Sequence, residues 1–420
     1  MKPKKFRIVK QSSGGFKSPI FRDDFFIDDE KLLKKDLLLY TTGSNDPGRM
    51  MAYKDAQKSE YECMHKNKLK IPINLLFGRM IKYHLILPLV FIFKYFWKKH
   101  NYLLKDWLRD FHVTAVGEEI LLSHYQIGLE LSIEETGLHH IPETIIMNNY
   151  GSRSVIFNWS DLTTFEAVGH HFQAFNIYLI WGKAHLIGKR HFVDNVIETG
   201  CWIKHNFSQY TRNKRSICEK LGLPVSDYKV IAFYDESFGP DVHVTEEVLL
   251  DFWQMMFELV NENKNAIGIL KPKMGDEIKL SIMSDKGKET FKNIKQRCLE
   301  SGRHYFIEDP IPVSPTEVIA ISDINISMDM SSPANIALLC GKIGLYYDTT
   351  GNDQHPLAKK YSNKIVFNDK KKLFSAVKKI LNGAYNPLHE DGIEELLRDC
   401  DYSRDEMGLV RFREALLDSL

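Results

Sequence analysis

The chain has 420 residues, too many for one compact core and enough for two domains. Apolar residues make up 44% and charged residues 26%, an ordinary globular composition. A formal net charge of +1 provides no overall field for a polyanion, so no nucleic-acid partner is expected and any anion site must be local.

Residues 1–35 are polar and charged, with Gly14-Gly15 and little periodicity, and read as a loosely attached N-terminal arm. The first clear strand is expected at Asp36 to Tyr40, with Thr41-Thr42-Gly43-Ser44 turning out of it as in the first βα unit of a doubly wound domain. Leu85 to Trp97 is a strongly apolar run of 13 residues, interrupted by Pro88 and Lys94 and flanked by basic side chains. A spanning helix needs about 20 apolar residues, so the run fits a buried helix or a face lying on an anionic membrane surface. Val116 to Ile133 suits a helix, Ser154 to Trp159 and Asn176 to Trp181 suit strands, and residues 184–227 read as charged and helical. The linker is placed near 205–227, which divides the chain into the arm, a first domain at 36–215 and a second at 216–420.

The second half alternates more cleanly. Lys229 to Tyr234, Ala266 to Leu270, Tyr305 to Ile307, Asp323 to Ser327, Ile343 to Tyr347 and Lys364 to Phe367 read as strands. Helical runs lie between them, one opened by Thr245 as N-cap with Glu246 and Glu247 in its first turn. Such alternation specifies a parallel sheet covered by helices on both faces.

In an open parallel sheet, ligands bind at the carboxyl ends of the strands. Five strands in succession are followed there by polar groups: Asp235-Glu236, Lys271-Pro272-Lys273, Glu308-Asp309, Asp329 to Asn335, and Asp348-Thr349-Thr350. Ser331 or Ser332 can cap a helix whose first turn holds Pro333, and the free N–H groups with two hydroxyls make a phosphate site. Simple capping is the plain alternative. Lys271 and Lys273 can offset phosphate charge, or form a solvated basic loop. Asp235 or Glu236 can serve as general base or nucleophile at an anomeric carbon, or as a turn carboxylate.

In the first half, Trp159, Ser160 and Asp161 follow a strand, with His170 and Lys183 further on. Aromatic faces beside hydroxyls, carboxylates and cations suit sugar recognition, so these residues are the candidate acceptor site. The histidines lack metal-ligand spacing, and there is no clear DxD carboxylate pair of the kind that holds a metal on a nucleotide sugar, which favours chemistry without a metal or cofactor. No phosphate-loop, nucleophile-elbow or dinucleotide fingerprint occurs.

Ile319 to Gly351, with its strand, serine-rich turn, helix and Gly-Lys turn, resembles the donor-binding part of bacterial surface-polysaccharide glycosyltransferases of the GT-B type. Ile269 to Lys273 is similar to the basic-proline motif of Kdo and sialic acid transferases, with Lys271 where many members carry histidine. Asp401 to Arg411 resembles the closing helix segment of related enzymes. The resemblance covers roughly the last 190 residues and is nearest in pattern to the retaining β-Kdo transferases. It implies two Rossmann-like domains facing across a cleft and a CMP-Kdo donor. Asp235 would then be the nucleophile, and Lys271, Pro272, Lys273, Ser331, Ser332 and Asn335 would hold the nucleotide. The implied acceptor is a growing lipopolysaccharide or capsule glycan. The six cysteines are scattered without CxxC spacing and read as reduced thiols. No apolar core follows the basic start, so the expected setting is cytoplasmic, with contact at the inner membrane surface. A nucleotide-sugar epimerase and a non-catalytic glycan-binding component are the alternatives.

Overall fold

The computed structural model describes residues 4–11, 37–41, 62–65, 114–132, 140–158, 172–186, 190–224, 228–239, 244–307, 313–351 and 356–420. Two parallel sheets organise them. The first has seven strands: β1 (Lys4–Gln11), β2 (Leu37–Thr41), β3 (Glu62–His65), β4 (Tyr125–Ser132), β5 (Arg153–Phe157), β7 (Ile177–Ile180) and β9 (Asn195–Glu198), in the order β3-β2-β1-β4-β5-β7-β9. A short pair, β6 (Phe172–Gln173) and β8 (Arg190–His191), stands apart. Helix α1 (residues 114–124) precedes β4, and α2 (His140–Asn149) lies between β4 and β5.

Three expectations for this half are corrected. The run expected to be an arm supplies β1, which pairs with β2 on one side and β4 on the other. Its apolar signal is short and set among lysines and an arginine, but Phe6 is buried against Leu121, Leu122, Ile127, Ile146 and Met147. Residues 116–133 are not one helix. The helix gives way directly to β4, where Ile127, Leu129 and Leu131 alternate into the core. Finally, 184–227 holds an edge strand, β9, whose half-exposed residues carry little apolar pattern.

Helices α3 (Phe207–Arg212) and α4 (Lys214–Lys220) follow β9, and the expected boundary at 215/216 falls inside α4. The second sheet comprises β10 (Lys229–Tyr234), β11 (Ala266–Lys271), β12 (His304–Phe306), β13 (Ile324–Met328), β14 (Ile343–Tyr347) and β15 (Val366–Phe367). Its order is β12-β11-β10-β13-β14-β15, the doubly wound arrangement with a switch point between β10 and β13. Strands β10 and β13 are wholly apolar or buried after their first residue, as a sheet covered on both faces requires. The covering helices are α5 (Glu246–Glu262), α6 (Asp276–Ile282), α7 (Asp285–Glu300), α8 (Pro315–Ile321), α9 (Ser332–Leu339), α10 (Pro356–Tyr361) and α11 (Lys370–Leu381). Thr245 caps α5 as expected, its hydroxyl accepting the Val248 N–H.

The last helices, α12 (Ile393–Cys400) and α13 (Gly408–Asp418), return to the first sheet. Phe412 meets Phe157 edge-on at 5.1 Å. Two glycines admit this return: a Cβ on Gly182 would lie 2.4 Å from the Asp399 carbonyl oxygen, and one on Gly408 would lie 2.8 Å from the Cys201 carbonyl carbon. No helix among the described residues is long and apolar enough to cross a membrane, and Leu85 to Trp97 lies outside them.

Candidate functional site

The switch point places the ends of β10 and β13 side by side. Tyr234 pairs with Ser327 and with Lys271, and Met328 with Tyr347. The residues that follow these partners therefore converge at one edge: Asp235-Glu236, Pro272-Lys273, Asp329 to Ser331, and Asp348 to Thr350.

Asp235, expected as the nucleophile or general base, is enclosed at the end of β10. It is 3% exposed, and both of its carboxylate oxygens are occupied. Oδ1 accepts the Lys273 N–H at 2.6 Å, while Oδ2 accepts from Lys279 Nζ at 2.5 Å and Trp253 Nε1 at 3.2 Å. Burial pushes the carboxyl pKa upward, and the Lys279 ammonium and the N–H donors oppose that shift. A carboxylate so enclosed cannot reach an anomeric carbon. Its neighbour Glu236 is more accessible: its side chain is 21% exposed, with Oε1 3.2 Å from Lys273 Nζ. Lys271 and Pro272 are half-buried beside it, and Lys273 is exposed.

The turn into α9 is constrained. Asp329 adopts φ of 51°, in the left-handed region that a non-glycine residue enters at a cost. Its N–H donates to the Tyr347 carbonyl at 3.0 Å. Ser331 is the N-cap residue, yet its hydroxyl makes no capping bond and is buried without a partner among the described residues. The Ala334 N–H is taken by Ser327 Oγ at 2.9 Å, and Pro333 has none. Ser332 is half-exposed at the first helical position. Asn335, expected to help hold the nucleotide, is fully buried in the first turns of α9.

Asp329 and Asp348, both expected at this edge, prove to be linked through one threonine, a pairing the sequence did not show. The Thr350 hydroxyl lies 2.6 Å from Asp348 Oδ1 and 3.2 Å from Asp329 Oδ1, and both aspartates are buried. The Thr350 N–H also donates to Asp348 at 2.8 Å. The available signal was positional: each aspartate immediately follows a strand, and the two strands are in register. Among the described residues no group of three or more His, Cys, Asp or Glu could hold a metal ion.

Trp159, Ser160, Asp161 and His170 lie outside the described residues. The residue before them is firmly held, because the Asn158 carbonyl accepts from Trp181 Nε1 at 2.9 Å and Trp202 Nε1 at 2.7 Å. Lys183 is exposed on a 3-10 turn beyond β7, against which α12 packs. It is thus at the carboxyl edge of the first sheet.

A model of the family described as "Polysaccharide biosynthesis PFTS motif protein" matches residues 223–375, from just before β10 into α11. No curated protein matches the chain. Among solved structures, the UDP-GlcNAc 2-epimerase of Neisseria meningitidis bound to UDP-GlcNAc is similar at a TM-score of 0.55 and 10% identity, covering 99% of this chain and 100% of that one. The S. aureus MnaA–UDP structure is similar at 0.53 and 10%, covering 97% and 94%. The trehalose 6-phosphate synthase of Burkholderia multivorans is similar at 0.51 and 9%, covering 98% and 96%. At such identity the likeness is one of fold, and it spans nearly the whole chain. The protein has the GT-B fold, with two Rossmann-like domains and final helices that cross back to the first.

Proposed function

We propose that this protein is a glycosyltransferase that takes a sugar from a nucleotide donor and adds it to a growing polysaccharide. The observation that carries this reading is the turn from β13 into α9. There a strained Asp329 presents a buried serine hydroxyl, lacking a partner among the described residues, at a helix start on the switch-point edge. The description of the matching family supports polysaccharide synthesis, and the similar epimerase and MnaA structures contain UDP-GlcNAc and UDP.

In this reading Ser331 and Ser332 receive the donor phosphate. Lys271 and Lys273, beside Pro272, offset the charge that develops as the glycosidic bond breaks, without a metal ion. Glu236 takes the acceptor proton. Asp161, with Trp159, Ser160, His170 and Lys183, holds the acceptor. The basic-proline resemblance favours CMP-Kdo as donor. A lipid-linked glycan acceptor would bring Leu85 to Trp97 to the membrane surface.

A thermal-shift series with CMP, CDP, UDP and GDP tests the donor site, since a ligand that binds only the folded chain raises its Tm. One nucleotide should stand out, and no shift with any of them would sink the proposal. The whole-length likeness to the UDP-GlcNAc 2-epimerase supports a second reading, sugar epimerisation on the nucleotide. Turnover of a nucleotide sugar with no acceptor present would select it.

A further inference from the structure

We propose that the buried Asp235–Lys279 pair is a positioning device for the donor loop, with no part in bond making. The inference rests on the reading of this edge as the donor site. Ladder pairing between β10 and β11 ends at Tyr234 and Lys271. Beyond it, Pro272 has no N–H to give, and the next N–H, that of Lys273, goes to Asp235 Oδ1. One side-chain oxygen therefore extends the β10–β11 connection past the last backbone pair, into the turn that carries Lys273, two residues beyond the strand-end Lys271.

The cost of that arrangement explains Lys279. A buried carboxylate needs a counter-charge, and Lys279 supplies it from α6 with 0% of its side chain exposed. Its ammonium lies 4.9 Å from the Trp253 ring centroid and 5.8 Å from that of Phe291, so aromatic faces share in holding the cation. For stability alone, an apolar pair of similar size would serve as well or better. What an apolar pair cannot do is accept the Lys273 N–H. With its backbone fixed there, Lys273 reaches Glu236 Oε1 at 3.2 Å. Lys279 thus acts on the site through Asp235 and Lys273 and never meets the substrate.

Two charge-free double variants of the full chain isolate the acceptor oxygen. Asp235→Asn/Lys279→Met keeps a side-chain carbonyl for the Lys273 N–H, whereas Asp235→Leu/Lys279→Met does not. The leucine pair should fold, with hydrogen exchange at Lys273 roughly tenfold faster and nucleotide affinity about tenfold weaker than in the parent. The asparagine pair should stay within about threefold of the parent in exchange, affinity and turnover. Unchanged exchange in the leucine pair would overturn the proposal. So would an asparagine pair that binds nucleotide normally but does not turn over, because Asp235 would then be a chemical group. If the parent chain binds no nucleotide, the donor reading fails, while the exchange comparison still decides the role of the pair.

Discussion

Lys204 and Asp401 form a buried ion pair at 2.8 Å although 197 positions separate them in the chain. Lys204 closes the turn that leaves the first sheet, and Asp401 caps the helix that returns to it. Asp401 also accepts the Cys201 N–H at 3.2 Å, and Arg411 Nε donates to the Thr199 carbonyl at 2.7 Å. The outgoing and returning segments are therefore tied where the two domains join. Lys204→Met strands a buried carboxylate and should cost about 3–5 kcal/mol in urea unfolding. Lys204→Met/Asp401→Asn should recover most of that loss.

Ser331→Ala separates binding from stability. The hydroxyl makes no capping bond, so the unfolding midpoint should hardly move. Nucleotide affinity, measured by calorimetry, should fall roughly tenfold, the worth of one hydrogen bond to a charged phosphate. Unchanged affinity would remove Ser331 from the donor site.

Glu236→Gln should lower kcat by roughly a hundredfold while leaving the nucleotide dissociation constant within about twofold, since it removes a proton acceptor but keeps the shape. A parallel rise in KM with constant kcat would assign Glu236 to binding alone.

Gly344 lies where β14 passes beneath the first turn of α9. A Cβ there would lie 2.0 Å from the Ala334 carbonyl oxygen, so Gly344→Ala must displace the backbone that presents Ser331. The expected cost is roughly 3 kcal/mol, with weakened nucleotide binding in the folded fraction. Chemical denaturation and titration on the same sample would show both.

His304 makes acid stability testable. Burial holds its pKa down, from the usual 6.5 to about 4, with Nδ1 2.7 Å from Ser301 Oγ and the ring stacked on Phe257. The unfolded chain binds this proton more readily, so the contribution is full above about pH 6.5 and is lost as pH falls toward 4. Between pH 7.5 and 5 the loss should be about 2 kcal/mol. His304→Phe should lack that part of the pH dependence in paired urea titrations.

The second sheet was legible because its signals are local. Strands such as Lys229–Tyr234 and Ala266–Lys271, covered on both faces, read as unbroken apolar runs, and the capping residues between them act within one turn. The first sheet was harder to read. Tyr125–Ser132 adjoins a helix with no breaking residue between them, and Lys4–Gln11 carries more charge than an isolated strand signal tolerates.

The sequence by itself determined which polar residues follow each strand of the second domain, and hence that Asp235, Glu236, Lys271, Lys273, Ser331 and Ser332 gather at one edge. That follows from alternation along the chain and from the rule that parallel strands end together. Only the tertiary structure decided what each group is free to do. Asp235 is enclosed because Lys279, 44 positions away, is folded beneath it. Asp329 and Asp348 share Thr350 because β13 and β14 lie in register. Burial and counter-charge set the reach of a carboxylate, and both come from residues remote in sequence. The strand pattern could therefore locate the strand-end edge but could not distinguish Glu236, whose side chain is 21% exposed, from Asp235, which is 3% exposed and bonded to Lys279 and the Lys273 N–H.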